Sequence, residues 1–122
     1  MYELQEISHL SSNENGSTYA LDAIKSEGYL LASRKAGSIS GNHWHEGKSA
    51  AKNPESLLLI SGSVKLNFKQ IKTGESKARS VKAPQVIKIY PQVLHTLEAQ
   101  TDIVFLEFNS LDEHKADTHY PN

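Results

Sequence analysis

The sequence predicts an all-β sandwich or barrel built as one compact domain. Three observations lead there. Apolar residues come in short runs separated by turn residues, and no long helical period appears anywhere. One run alternates strictly, with Val64, Leu66 and Phe68 on one face and Lys65, Asn67 and Lys69 on the other. The chain has 122 residues, enough for one hydrophobic core and cramped for two.

The elements follow in order. Residues 1–16 are polar and rich in Ser, Asn and Glu, and are read as an arm adding one edge strand. The barrel is assigned to 17–110 and a polar tail to 111–122, packed along the outside. Tyr29–Arg34 is a strand stopped near Gly37, and Ser38–His45 is a second, followed by a polar loop from Glu46 to Pro54. Glu55–Ser61 is a third, ending at Gly62, and Ser63–Ile71 is the alternating strand. A hairpin turn at 72–76 leads into a returning strand at Arg79–Val81. Val86–Tyr90, Leu94–Ala99 and Ile103–Phe108 complete a set of about eight strands, the spacing of a sandwich or barrel.

Composition narrows the function. The formal net charge is −1, from 13 basic and 14 acidic residues, with no basic stripe, so nucleic acid and anionic membranes are not expected partners. Cysteine is absent, which removes disulfides, thiol nucleophiles and Cys-based metal sites. The start, Met1 to Glu6, lacks the basic and apolar regions of a secretory signal, and the longest purely apolar run is Leu57–Ile60. A cytoplasmic location is the expectation. There is no Gly-rich phosphate loop and no Ser nucleophile elbow.

The chemistry concentrates in histidine and one glutamate. In His43-Trp44-His45 the two imidazoles lie two apart on a strand and face one way. Imidazole is the commonest ligand for first-row divalent metals. Glu55 opens a run that is otherwise apolar, where a carboxylate is costly unless paired or bound to metal. The alternative places Glu55 solvated at the strand mouth, paired with Lys52. His95 shares a face with Leu97, which turns it to the core while Glu98 faces away. Its alternative is a core histidine bonded to a backbone carbonyl. Together His43, His45, Glu55 and His95 form a set for Fe, Mn, Co, Ni or Zn with positions open to water or substrate.

Gly37-x5-His43-x-His45 followed by Glu55-x6-Gly62 resembles the first cupin motif, and Pro91-Gln92-Val93-Leu94-His95 resembles the second. The resemblance runs from about residue 28 to 108. It implies an all-β, single-domain cupin barrel (a double-stranded β-helix, or jelly roll), usually dimeric, holding a metal through that His/His/Glu/His set. The stretch from Gly28 to Gly37, running into Gly41-Asn42-His43-Trp44-His45, is similar to the C-terminal cupin domain of bifunctional capsular-polysaccharide sugar-nucleotide enzymes, and Asp112–Tyr120 extends the likeness. Related single-domain cupins isomerise or epimerise keto-sugar nucleotides.

Three positions depart from those patterns. The spacing from His45 to Glu55 is several residues longer, which makes Glu46 the alternative carboxylate ligand. Ser40 stands where the sugar enzymes tend to carry Arg, and Gln92 where the second motif usually has Gly. No reductase domain is expected beside this one, and so no bifunctional role.

The resemblance implies a metal-binding cupin, an isomerase or epimerase of a sugar or sugar nucleotide, working through Zn, Mn, Fe or Ni as a homodimer. Tyr29 and Tyr90 are the candidate proton donors, and Arg34 and Lys48 the candidate substrate-binding residues. Arg34 is chosen because a guanidinium grips phosphate through two bonds. Trp44 points away from its histidine neighbours and is read as a packing residue. His9, His114 and His119 are expected to be exposed. Two other functions stay open: a metal- or ligand-binding module without catalysis, and an iron-dependent dioxygenase.

Overall fold

A computed structural model describes residues 1–21 and 25–121. Among the described residues there are eleven strands and one short helix. These are β1 (Tyr2–Gln5), β2 (Ser8–Asn13), β3 (Gly16–Ala20), β4 (Leu30–Arg34), β5 (Ile39–His43), β6 (Glu55–Ser61), β7 (Ser63–Gln70), β8 (Ser76–Lys82), β9 (Gln85–Ile89), β10 (Val93–Ala99), β11 (Ile103–Glu107) and α1 (Leu111–Ala116).

Two antiparallel sheets build a jelly roll. One has the order β1-β9-β6-β11-β4 and the other β5-β10-β7-β8. Strands neighbouring in space are distant in sequence, as when β6 lies between β9 and β11. Period-two patterning selects the inner faces. In β7, Val64, Leu66 and Phe68 are buried while Lys65 and Lys69 are exposed. Leu57, Leu59, Ile87 and Phe105 of the first sheet meet Val64, Leu66, Phe68 and Leu97 of the second in one core. Burying a side chain of this kind contributes roughly 1.5–3 kcal/mol.

The N-terminal segment supplies more than one strand. β1 pairs with β9 at the sheet edge, and Tyr2 stacks on Phe68 with ring centroids 4.3 Å apart. β2 and β3 form a separate exposed hairpin. The turn between β6 and β7 needs Gly62: its φ is +87°, and a Cβ there would strike the Asp102 carbonyl and the Ile103 side chain.

Several boundaries differ from expectation. β8 begins at Ser76, because its backbone pairs with β7 all the way from Lys82 to Ser76. β5 stops at His43 rather than His45. The N–H and C=O of Trp44 instead exchange two 2.9 Å hydrogen bonds with His119, drawing the chain out of the sheet. The tail contains α1, capped by Ser110 and Glu113 in a reciprocal capping box. Among the described residues no helix is long and apolar enough to cross a membrane.

Candidate metal centre

β5 and β10 pair so that His43 lies opposite His95. Gly41 makes this approach possible. Its φ is +90°, and a Cβ would come 2.8 Å from the His95 carbonyl oxygen, so a larger residue would push β5 off β10. Glu55 enters from the facing sheet, as the first residue of β6, paired with Ile89. His45 follows the end of β5 and turns inward, 2 % exposed. The ligand atoms of His43, His45, Glu55 and His95 all lie within 4.8 Å of one another.

The tautomers of two rings are fixed. His45 donates Nδ1–H to the Asp117 carbonyl across 2.6 Å, and His95 donates Nδ1–H to the Val93 carbonyl across 3.0 Å. Each neutral ring therefore carries its lone pair on Nε2. Both lone pairs turn toward Glu55 Oε2, which His45 Nε2 touches and His95 Nε2 approaches to 4.0 Å. Acceptor faces acceptor, an arrangement that a cation between them would satisfy. The donor set fits a borderline divalent metal.

Burial, then the neighbouring His95, pushes the pKa of His43 down to about 3. Burial lowers that of His95 as well. Burial opposes the charge on Glu55, but its charged neighbours, Lys52 among them, hold the carboxyl well below its ordinary range. Neutral imidazoles beside an ionised carboxylate are the protonation states that metal binding requires.

The structure groups Glu55, not Glu46, with the histidines. Glu46 is exposed and lies in a separate group with Asp117 and His119. In that group the Asp117 carboxylate is already occupied: it accepts the backbone N–H groups of Glu46, Gly47 and Lys48 at 2.9 Å each, and meets His119 Nε2 at 3.1 Å. It is a clasp between the tail and the loop after His45. Trp44 stacks on His119 with centroids 4.6 Å apart, a packing role.

The remaining candidates lie outside the cluster. Tyr90 is exposed and donates its hydroxyl to Glu3. Tyr29 is exposed and packs edge-on against Phe108. Neither lines the small interior cavity of about 40 Å³ beside the cluster, which Ser40, His43, Glu55, His95, Phe105 and Glu107 help to form. Lys48 is exposed and pairs with Glu46 at 3.4 Å. Arg34 Nε donates to Ser40 Oγ at 3.0 Å, and its guanidinium carbon lies 5.6 Å from the centre of the Phe105 ring.

Three more residues belong to the site, one foreseen only as a solvated partner of Glu55 and two not placed there by sequence reasoning. Lys52 does pair with Glu55, at 3.4 Å, but fully buried rather than solvated. His114 is half-buried, not exposed; its ring is 5.6 Å from that of His43. Burial, then the charge on Glu55, raises the pKa of Glu107 in the cavity wall. The signal for Lys52 was its position three before Glu55. Glu107 ends an otherwise apolar strand as an isolated carboxylate, the same signal that singled out Glu55.

No family model and no curated protein sequence matches the chain. Solved structures do. The sugar 3,4-ketoisomerase QdtA from Thermoanaerobacterium thermosaccharolyticum, in complex with TDP, superposes with a TM-score of 0.74 at 18 % identity, covering 98 % of this chain and 88 % of that one. ChmJ, a 3'-monoepimerase from Streptomyces bikiniensis in complex with dTDP-quinovose, gives 0.71 at 13 % identity over 99 % of this chain and 69 % of that one. The capsular polysaccharide assembling protein CapF from Staphylococcus aureus gives 0.64 at 22 % identity over 94 % of this chain. The chain spans about a third of the length of CapF, 34 %. At these identities the likeness is one of fold.

Proposed function

We propose that this chain, which has the cupin fold, holds one divalent metal through His43, His45, Glu55 and His95 and isomerises or epimerises a keto-sugar nucleotide beside it. The observation that carries the metal is the meeting of His45 Nε2 with Glu55 Oε2, two lone-pair atoms in contact while both His45 and His95 spend their Nδ1 protons on backbone carbonyls. The sugar-nucleotide isomerases and epimerases that share the fold support the substrate class.

A bound metal of this kind polarises a carbonyl oxygen or acidifies a water. The chain supplies the rest. Leu57, Leu66, Ile89, Leu97 and Phe105 give the cavity an apolar wall. Glu107, with its pKa raised by burial, is suited to hold and pass a proton at its carboxyl oxygen. It is placed ahead of Tyr29 and Tyr90 because they lie outside the cavity. Arg34, beside Ser40, is the group assigned to the substrate diphosphate, with Lys48 in the loop after His45 as a second cation. A homodimer and a cytoplasmic setting complete this reading; the exposed apolar side chains Tyr19, Leu31 and Ile60 support the dimer.

One observation favours a second reading, a metal- or ligand-binding module without catalysis. The cavity of about 40 Å³ has room for water but not for a sugar ring. Catalysis therefore requires the C-terminal segment or the cavity wall to yield.

The test has two stages. Elemental analysis of protein purified without chelators is expected to find about one divalent metal per chain. The loaded protein is then incubated in D2O with TDP-4-keto-6-deoxyglucose and followed by NMR. Deuterium entering beside the ketone supports the enzyme; metal without exchange supports the binding module; no metal from Fe, Mn, Ni or Zn overturns the metal site.

A further inference from the structure

The loop between His45 and Glu55 is longer than in the motif it resembles, and its folding brings a lysine into the site. Lys52 N–H bonds to the Ser49 carbonyl at 3.1 Å and Asn53 N–H to the Ala50 carbonyl at 3.3 Å, so the loop doubles back and bridges to Glu55. The Lys52 side chain is 0 % exposed. A buried ammonium is tolerated only when paired. Its partners are Glu55 Oε2 at 3.4 Å and His114 Nδ1 at 3.1 Å. An ammonium only donates, so His114 accepts.

Glu55 Oε2 is thus the meeting point of Lys52, His45 and His95. We propose that Lys52 is a resident cation that shares Glu55 with the metal and sets how tightly the metal is held. The inference rests on the metal reading above. Without metal, Lys52 keeps the buried carboxylate compensated, so the fold does not depend on loading. With metal, the ammonium repels a dication bound to the same carboxylate and weakens it. A longer loop therefore trades affinity for a site that is stable empty and exchanges its metal.

The test compares wild type with Lys52→Met, which keeps the volume and removes the charge. Zinc affinity is measured by titration against a chelator of known strength, and thermal unfolding is followed with and without zinc. Lys52→Met is expected to bind zinc at least about tenfold more tightly, to melt lower than wild type without zinc, and to gain more from adding it. Equal or weaker zinc binding by the variant overturns the inference and leaves the metal reading standing. Zinc bound by the variant alone overturns both, since Lys52 would then replace the metal on Glu55 rather than share the carboxylate with it. Zinc bound by neither protein overturns both. Where Lys52→Met does not fold alone, it is refolded from urea with zinc: recovery shows the two cations to be interchangeable, and failure to recover overturns the inference.

Discussion

The His45 ring donates its Nδ1 proton to the backbone carbonyl of Asp117 across 2.6 Å. The same residue grips the three consecutive amides of 46–48 through its carboxylate. One residue of the C-terminal segment therefore sets the tautomer of a metal ligand and fixes the loop that follows it. Asp117→Ala removes the carboxylate and leaves those amides unpaired. It is expected to cost about 2–3 kcal/mol of stability by urea denaturation and to weaken metal binding by loosening His45. Unchanged stability would show that the clasp is incidental.

The ligand assignment is checked by alanine variants. His43→Ala and His95→Ala are expected to lose the metal by elemental analysis, each removing one of four donors. His119→Ala is expected to keep it, because that ring is spent on Trp44, Glu46 and Asp117. Equal loss in all three, or loss in none, refutes the assignment.

Asp117 also predicts a response to acid. Burial works against its charge, but the amides of Glu46, Lys48 and Gly47, then His119, outweigh burial and bring its pKa to about 2, from an ordinary 3.8. A carboxyl depressed on folding contributes its full stabilisation above the unfolded value and loses it as pH falls toward the folded one. The clasp should hold at pH 4 and release as pH falls through roughly 3 to 2. Following the Asp117 carboxyl carbon by NMR is expected to give a midpoint near 2; an ordinary midpoint would mean the amides are not bonded to it.

The second motif makes a prediction about strain. Gln92 stands where the motif it resembles usually has Gly, and its φ is +65°. A side chain in that left-handed region costs energy that Gly does not pay. Its backbone joins the two flanks of the site, donating to the His45 carbonyl at 2.8 Å and accepting from Ile71 at 3.0 Å. Gln92→Gly is expected to raise stability by up to about 1 kcal/mol, the relieved strain less the added freedom of the unfolded chain. A destabilised variant would show that the Gln92 side chain makes a compensating contact.

These residues also mark what the sequence makes legible. β6 is found at its true bounds because an apolar run is bracketed by Glu55 and Gly62. His43 and His95 are legible because period two fixes which face a side chain takes, whatever the strand later pairs with, whereas His45 lies beyond β5 and turns inward on its bond to the Asp117 carbonyl. β5 is overrun by two residues because the competing partner of Trp44, His119, comes from the far end of the chain. The burial of Lys52 depends on how an irregular loop folds, which no periodicity encodes. The arrival of His114 depends on where a six-residue helix docks. The Ser110-x-x-Glu113 capping box does announce that helix, but α1 is too short for an apolar period to reveal it.

Arg34 tests the substrate class. The sugar enzymes this chain resembles tend to carry Arg where Ser40 stands, and here Arg34 Nε donates to the Ser40 hydroxyl. A guanidinium thus reaches that neighbourhood from β4, which belongs to the other sheet. One further N–H is used on the Ser33 carbonyl at 2.8 Å. Of the five N–H donors a guanidinium carries, about three stay available to a diphosphate. Ser40 and Phe105, the residues Arg34 leans on, both line the cavity. Arg34→Ala is expected to weaken TDP binding about tenfold by calorimetry, with the metal content unchanged, since it removes a charge-assisted pair of bonds and Arg34 bonds to Ser40 and Ser33 rather than to a metal ligand. Arg34→Lys should restore little of this, because an ammonium keeps the charge but lacks the planar fork. Full recovery by Lys would reduce Arg34 to a point charge. Unchanged affinity in both variants would remove it from the site and strengthen the reading of a binding module for a ligand without phosphate.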